Sequence, residues 1–246
     1  MRTPEEVRQA FDLHTAGWSL SRIAREIGVS RWTIRYWLDG NTPDFSRCLP
    51  VEACPPNQCL AATIEHHSYC YLLGLYLGDG AISTSRKGVH RLRIACCDEY
   101  PELMNRCEAA MASTLPNKVG RIAQTGCTEV YSDSKHWTCL FPQHGPGRKH
   151  ERPIFLAPWQ QQLVDIDPRP LIAGLIHSDG CRVLNPVAGR LYPRYHFTNA
   201  SDDIRKIFTD SLNALGIPWT QNSPRNISVA RREAVTALDA FVSPKR

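Results

Sequence analysis

The sequence predicts an α+β chain in which two pseudo-symmetric αββαββα-type repeats follow a small all-α domain. Three observations lead there. Two apolar segments, Leu72-Leu73-Gly74-Leu75-Tyr76-Leu77-Gly78-Asp79-Gly80 and Ile172-Ala173-Gly174-Leu175-Ile176-His177-Ser178-Asp179-Gly180, repeat one pattern with their aspartates 100 residues apart. Each is followed by the same succession of strands and helix. The first forty-odd residues carry a different, purely helical periodicity.

The opening segment reads as three short helices, about 4–16, 20–27 and 30–38, in a helix-turn-helix pattern. Ala24 sits at the expected helix contact, Gly28 takes the turn, Ser30 caps the third helix, and Ile23, Ile27, Val29, Ile34 and Trp37 supply the core. That register leaves Arg31, Trp32, Arg35 and Tyr36 on the outward face of the third helix. Arginines interleaved with aromatics suit a DNA major groove, where guanidinium groups reach guanine edges and phosphates. Residues 1–42 are thus expected to form a DNA-binding domain, against the plainer reading of a bundle that binds protein or only packs on its neighbour.

Residues 43–65 contain Pro43, Pro50, Pro55 and Pro56 without clear periodicity and read as a linker. Cys48, Cys54, Cys59 and Cys70, with His66 and His67, leave zinc as a minor possibility, and the absence of a C-x-x-C pair argues against it. The two repeats occupy about 66–165 and 167–246. In the first, a motif helix leads to a strand at 91–97 and a helix from Tyr100 to about Ser113. In the second, the corresponding strand is 194–198 and the helix runs from Asp202 to about Leu215. This alignment sets Arg-Ile-Ala-Cys-Cys-Asp (93–98) beside His-Phe-Thr-Asn-Ala-Ser (196–201). Within the first repeat, the basic loop 141–150, punctuated by Gly and Pro, is long enough to be functional.

Each motif helix ends in an aspartate, where the helix dipole is negative and repels it. Small residues four apart, Gly74 with Gly78 and Gly174 with Ser178, allow two such helices to approach closely and deliver both carboxylates to one place. Asp79 and Asp179, with the backbone carbonyls of Gly78 and Ser178, then make an oxygen-rich set suited to Mg²⁺. Taken singly, Gly-Asp-Gly and Ser-Asp-Gly are ordinary turn signals; the repetition in register favours a site.

The chain has 246 residues, 42% of them hydrophobic, and a net charge of +5. The charge is too modest to imply nucleic acid by itself, but its distribution is informative. Gly80 to Cys97 contains no acid and holds Arg86, Lys87, Arg91 and Arg93; Gly180 to Ser201 contains none and holds Arg182, Arg190 and Arg194. Paired basic stretches in equivalent places suggest surfaces facing a polyanion, with Arg86, Lys87, Arg91, Arg182, Arg190 and Arg194 as DNA contacts. The polar start and the lack of a long apolar run predict a cytoplasmic protein without membrane association, and the ten scattered cysteines are expected to be reduced.

On these motifs, over about residues 66–246, the chain resembles the LAGLIDADG, or DOD-type, homing endonucleases. The resemblance implies motif helices packed at a pseudo-twofold interface, a saddle of antiparallel strands along duplex DNA, and a catalytic Mg²⁺ bound by the acids before the final glycines, Asp79 and Asp179. It further implies polar or basic helpers on the following strands, which the repeat alignment assigns to Arg93 and His196, with Lys149 as a third candidate. Leu77 and His177 replace the acid at the sixth motif position, which is not the metal ligand. Met1 is no splicing nucleophile and Ser243-Pro244-Lys245-Arg246 is no Asn-ending junction, so a free-standing monomeric endonuclease, not an intein, is expected. WhiA-type transcription regulators pair the same domains in the opposite order without nuclease chemistry. They keep open the alternative of a regulator that binds DNA without cutting it. A third arrangement, DNA binding by residues 1–40 with ligand sensing by the rest, also remains.

Overall fold

The computed structural model describes residues 4–42, 64–85 and 88–245. Of the expected linker 43–65 all but Ile64 and Glu65 lies outside the described residues, as do Cys48, Cys54, Cys59, Arg86 and Lys87. Chain contacts divide the protein into two units, with the division falling at residues 54 and 55.

The first unit contains α1 (Pro4–Thr15), α2 (Leu20–Ile27) and α3 (Arg31–Leu38). Ser19 and Ser30 cap α2 and α3 by accepting from the backbone N–H of Arg22 and Thr33. Gly28 ends α2 in the left-handed conformation at φ 69°, which turns the chain into α3 without a Cβ penalty. Val7, Ala10, Ile23, Val29, Ile34 and Trp37 close the core, while Ile27 and Ala24 pack half-buried at its edge.

The second unit is α+β and repeats one plan. Its first half runs α4 (His66–Asp79), β1 (Gly80–Thr84), β2 (His90–Cys97), α5 (Pro101–Thr114), β3 (Val119–Gln124), β4 (Cys127–Ser134), α6 (Trp137–Leu140), a 3₁₀ turn (Lys149–Glu151) and α7 (Pro158–Ile166). The second runs α8 (Arg169–Asp179), β5 (Gly180–Val187), β6 (Arg190–Thr198), α9 (Asp202–Ala214), β7 (Thr220–Ser223), β8 (Asn226–Val229) and α10 (Arg232–Asp239). Each half builds a four-stranded antiparallel sheet, in the orders β1-β2-β4-β3 and β5-β6-β8-β7. Strand β6 begins four residues earlier than the sequence suggests. Ala188 and Gly189, both at positive φ, form a two-residue hairpin turn whose twist suits the flanking strands and extends the pairing to Val187 and Arg190.

One hydrophobic core joins both halves. α4 is buried continuously from Tyr69 to Leu77 and α8 from Pro170 to His177. That all-round burial explains why both motifs are apolar on every face. Cys70 is wholly buried in this core and His66 Nε2 lies 2.6 Å from Leu163 O. The seven cysteines among the described residues are free thiols. No helix among the described residues is long and apolar enough to cross a membrane.

Candidate metal and nucleic-acid site

α4 and α8 cross at the small residues. A Cβ added to Gly174 would stand 2.2 Å from Tyr71 O, and one added to Gly74 would stand 2.5 Å from Leu171 O and 2.8 Å from Gly174 Cα. One turn on, a Cβ on Gly78 would lie 2.1 Å from Ser178 Oγ and 3.0 Å from Asp179 Oδ2. The helices therefore touch backbone to backbone, and their C-terminal carboxylates emerge side by side.

Two like charges beside two helix C-termini need compensation, and two lysines provide it. Lys149 Nζ donates to the carbonyls of Tyr76, of Leu77 at 3.0 Å and of Gly78 at 2.7 Å, and sits 5.1 Å from the Tyr76 ring centre. Lys245 Nζ donates to Ser178 O at 3.2 Å. Burial pushes the Lys149 ammonium down to about 8, with Asp179 and Asp79 pulling it back up. Burial lowers Lys245 too, again opposed by Asp79 and Asp179.

Asp79 is exposed on one side, yet desolvation by the surrounding protein, and then the neighbouring Asp179, raise its carboxyl to about 6. Asp179 is half-buried and raised by burial, but its Oδ2 accepts from Asn199 Nδ2 at 2.6 Å, which favours the ionised form. The two halves thus hold their aspartates differently. Among the described residues no group of three or more His, Cys, Asp or Glu side chains could hold a metal ion. The available donors are the two carboxylates and nearby carbonyls, of which Gly78 O and Ser178 O already accept from a lysine.

Strand register puts Arg93 opposite Ala81 and His196 opposite Cys181, each one residue beyond the motif glycine. The two side chains therefore occupy equivalent places on their sheets. Asn226 gives its Nδ2 to Thr198 Oγ1 at 2.7 Å and turns Oδ1 toward His196 Nδ1 at 3.1 Å. An amide oxygen only accepts, so His196 Nδ1 donates in this contact. Arg93 Nη1 lies 3.5 Å from Glu129 Oε2.

Tertiary structure sorts the predicted basic contacts. Arg190 is exposed and Arg194 half-buried on the same strand as His196. Arg91 is bound bidentately by Asp133, at 2.8 and 2.7 Å. Arg182 is corrected. It pairs in register with buried Tyr195, and both side chains bond Asp239 of α10, so it belongs to the helix-bearing side and not to the open face. On α3, Arg31, Trp32, Arg35 and Tyr36 are all exposed, with the Trp32 and Tyr36 rings stacked at 5.0 Å.

Sequence reasoning missed Lys245 and Asn199. Lys245 follows Asp179 at nearly the separation of Lys149 from Asp79, a regularity that was available. Asn199 has no polar counterpart in the first repeat, where Cys96 takes its place in the alignment, and nothing in the motif points to it.

A family described as "Putative ATPase subunit of terminase (gpP-like)" matches residues 5–41. No curated protein matches the chain. Among solved structures, mesophilic variants of the homing endonuclease I-DmoI are similar at 18% identity and a TM-score of 0.49, over 72% of this chain and 90% of theirs. I-DmoI in complex with DNA and Mn matches at 15% identity and a TM-score of 0.47, over 72% of this chain and 97% of its own. The N-terminal LAGLIDADG domain of DUF199/WhiA matches at 11% identity and a TM-score of 0.48, over 78% and 89%. At such identities a similar chain path says nothing of shared chemistry.

Proposed function

We propose that this protein binds duplex DNA and hydrolyses its phosphodiester bonds with Mg²⁺ held by Asp79 and Asp179. The observation that carries the reading is the convergence of two motif aspartates at one helix crossing, each beside a helix end occupied by a half-buried lysine. The residues fit the ion. Mg²⁺ is commonly bound by one or two carboxylates with water and substrate phosphate completing its shell, and two hard carboxylates in a crowded, negative corner are that kind of set. Bound there, it supplies Lewis-acid charge to a phosphate and acidifies a water molecule.

The chain's own groups account for the remaining needs. Lys149 and Lys245, fixed by carbonyls, present preorganised positive charge where a phosphate gains negative charge in its transition state. His196, held in place by Asn226, orients water, and Arg93 screens phosphate charge in the equivalent position of the first repeat. Selection of cleaved sites from a random duplex library with Mg²⁺ tests the reading. Wild type should yield cut sites, and the Asp79→Asn/Asp179→Asn protein should yield none; equal inertness of the two sinks the nuclease.

A second reading, a regulator that binds DNA without cleaving it, is favoured by the separate three-helix unit with its exposed Arg31, Trp32, Arg35 and Tyr36. Sites recovered from the same library by binding but never cut would support it.

A further inference from the structure

The two sheets repeat one topology but differ in charge. None of the second sheet's strand residues, in β5, β6, β7 or β8, is acidic. The first sheet has two acids, Glu129 and Asp133, both on β4. Asp133 stands opposite Arg91 in the β2–β4 register and holds it through two hydrogen bonds, with the guanidinium 4.3 Å above the Tyr131 ring. Glu129 stands four residues from Asp133 on the same strand and pairs with Arg93. Strand alternation puts these four side chains on one face, opposite the buried Leu92, Ile94 and Val130. On the equivalent face of the second sheet, Arg190 and Arg194 have no carboxylate partner among the described residues.

The difference matters for a polyanion. Binding to duplex DNA gains from releasing counterions in proportion to the phosphates that protein cations neutralise. An arginine already neutralised by a bidentate carboxylate must give up that partner to grip a phosphate, and doing so leaves the carboxylate facing the DNA. Arg190 and Arg194 carry no such penalty.

We infer that the two sheets divide the contact with duplex DNA unequally: the second sheet supplies the phosphate grip through Arg190 and Arg194, while Asp133 holds the charge of the first sheet's Arg91 compensated and in place. The inference rests on the reading that both open faces lie on duplex DNA. The first sheet then discriminates by shape and hydrogen bonding, and one half of the target is gripped more tightly than the other.

The test is binding of the full-length protein to a mixed-sequence duplex, followed by fluorescence anisotropy across a salt series. Arg190→Ala/Arg194→Ala should flatten the slope of log affinity against log salt by about 1.8, at about 0.9 for each lost phosphate contact. Arg91→Ala/Asp133→Ala, which removes an exposed pair without changing net charge, should leave the slope as it is. Asp133→Asn, which frees Arg91, should steepen it by up to about 0.9 and tighten binding. The division is overturned if the Arg91/Asp133 pair flattens the slope as much as a single Arg194→Ala, or if Asp133→Asn changes nothing. If Arg190→Ala/Arg194→Ala alters neither slope nor affinity, the second sheet does not face DNA and the underlying reading falls with it. Circular dichroism melts confirm that each variant is folded.

Discussion

Gly74 and Gly174 face each other across the α4–α8 crossing so closely that a methyl group on either would strike backbone of the other helix. On Gly174 it would stand 2.2 Å from Tyr71 O, and a helix carbonyl cannot rotate away as a side chain does. Gly174→Ala is therefore expected to destabilise the second unit by about 2–3 kcal/mol or more, as overpacking in a rigid interface does. Urea unfolding of the two proteins measures it.

The crowded carboxylates make stability depend on pH in a defined direction. Asp79 is raised from 3.8 to about 6, so the folded protein holds its proton over a range in which the unfolded chain has lost it. Stability of the metal-free protein should accordingly fall as pH rises through that window and level off above it. Asp79→Asn should flatten the decline, and added Mg²⁺ should raise Tm more above pH 6 than below it. Thermal melts at stepped pH, with and without Mg²⁺, decide this; an unchanged profile in Asp79→Asn counts against the carboxylate pair as its source.

Lys149 serves both the α4 terminus and the site. Replacing it with Met removes the donor to three carbonyls and the charge beside the aspartates, and should lower the cleavage rate by about 100-fold. Because its ammonium is pushed down to about 8, wild-type cleavage should fall as pH rises past that value. Lys149→Arg, which keeps its charge, should move that fall to higher pH. The pH–rate profiles of the three proteins separate a positioning charge from a merely structural lysine.

The exposed face of α3 can be tested in the same full-length protein. Arg31→Ala/Arg35→Ala should weaken DNA binding and flatten the salt slope by about 1.8 if both guanidinium groups meet phosphates. Trp32→Ala, which removes a side chain 70% exposed and stacked on Tyr36, should cost affinity without changing the slope. Loss of helix content in either variant would point to a packing role instead.

Element types and the internal repeat were legible along the chain. Apolar periodicity, the capping Ser30, the Gly28 turn and the recurring Asp-Gly endings are local signals, because helices and strands are set by residues a few positions apart. Alignment of the two repeats set Arg93 beside His196, since both follow their motif glycine through one hairpin. The longer β6 was less visible because its turn, Ala188-Gly189, lies in a polar stretch that resembles a loop.

What only the tertiary structure decided are relationships between segments far apart in sequence. The α4–α8 crossing made two distant carboxylates neighbours, and the fold brought Lys245 to Ser178 O and Asn199 to Asp179. The same packing took Arg182 to Asp239 on the helix-bearing side and tied Arg91 to Asp133. The sequence by itself determined which chemistry the chain carries at each position, because pattern is local. The tertiary structure decided which of those groups meet, because that depends on how closely two helices can pass and on which residues of paired strands stand opposite each other.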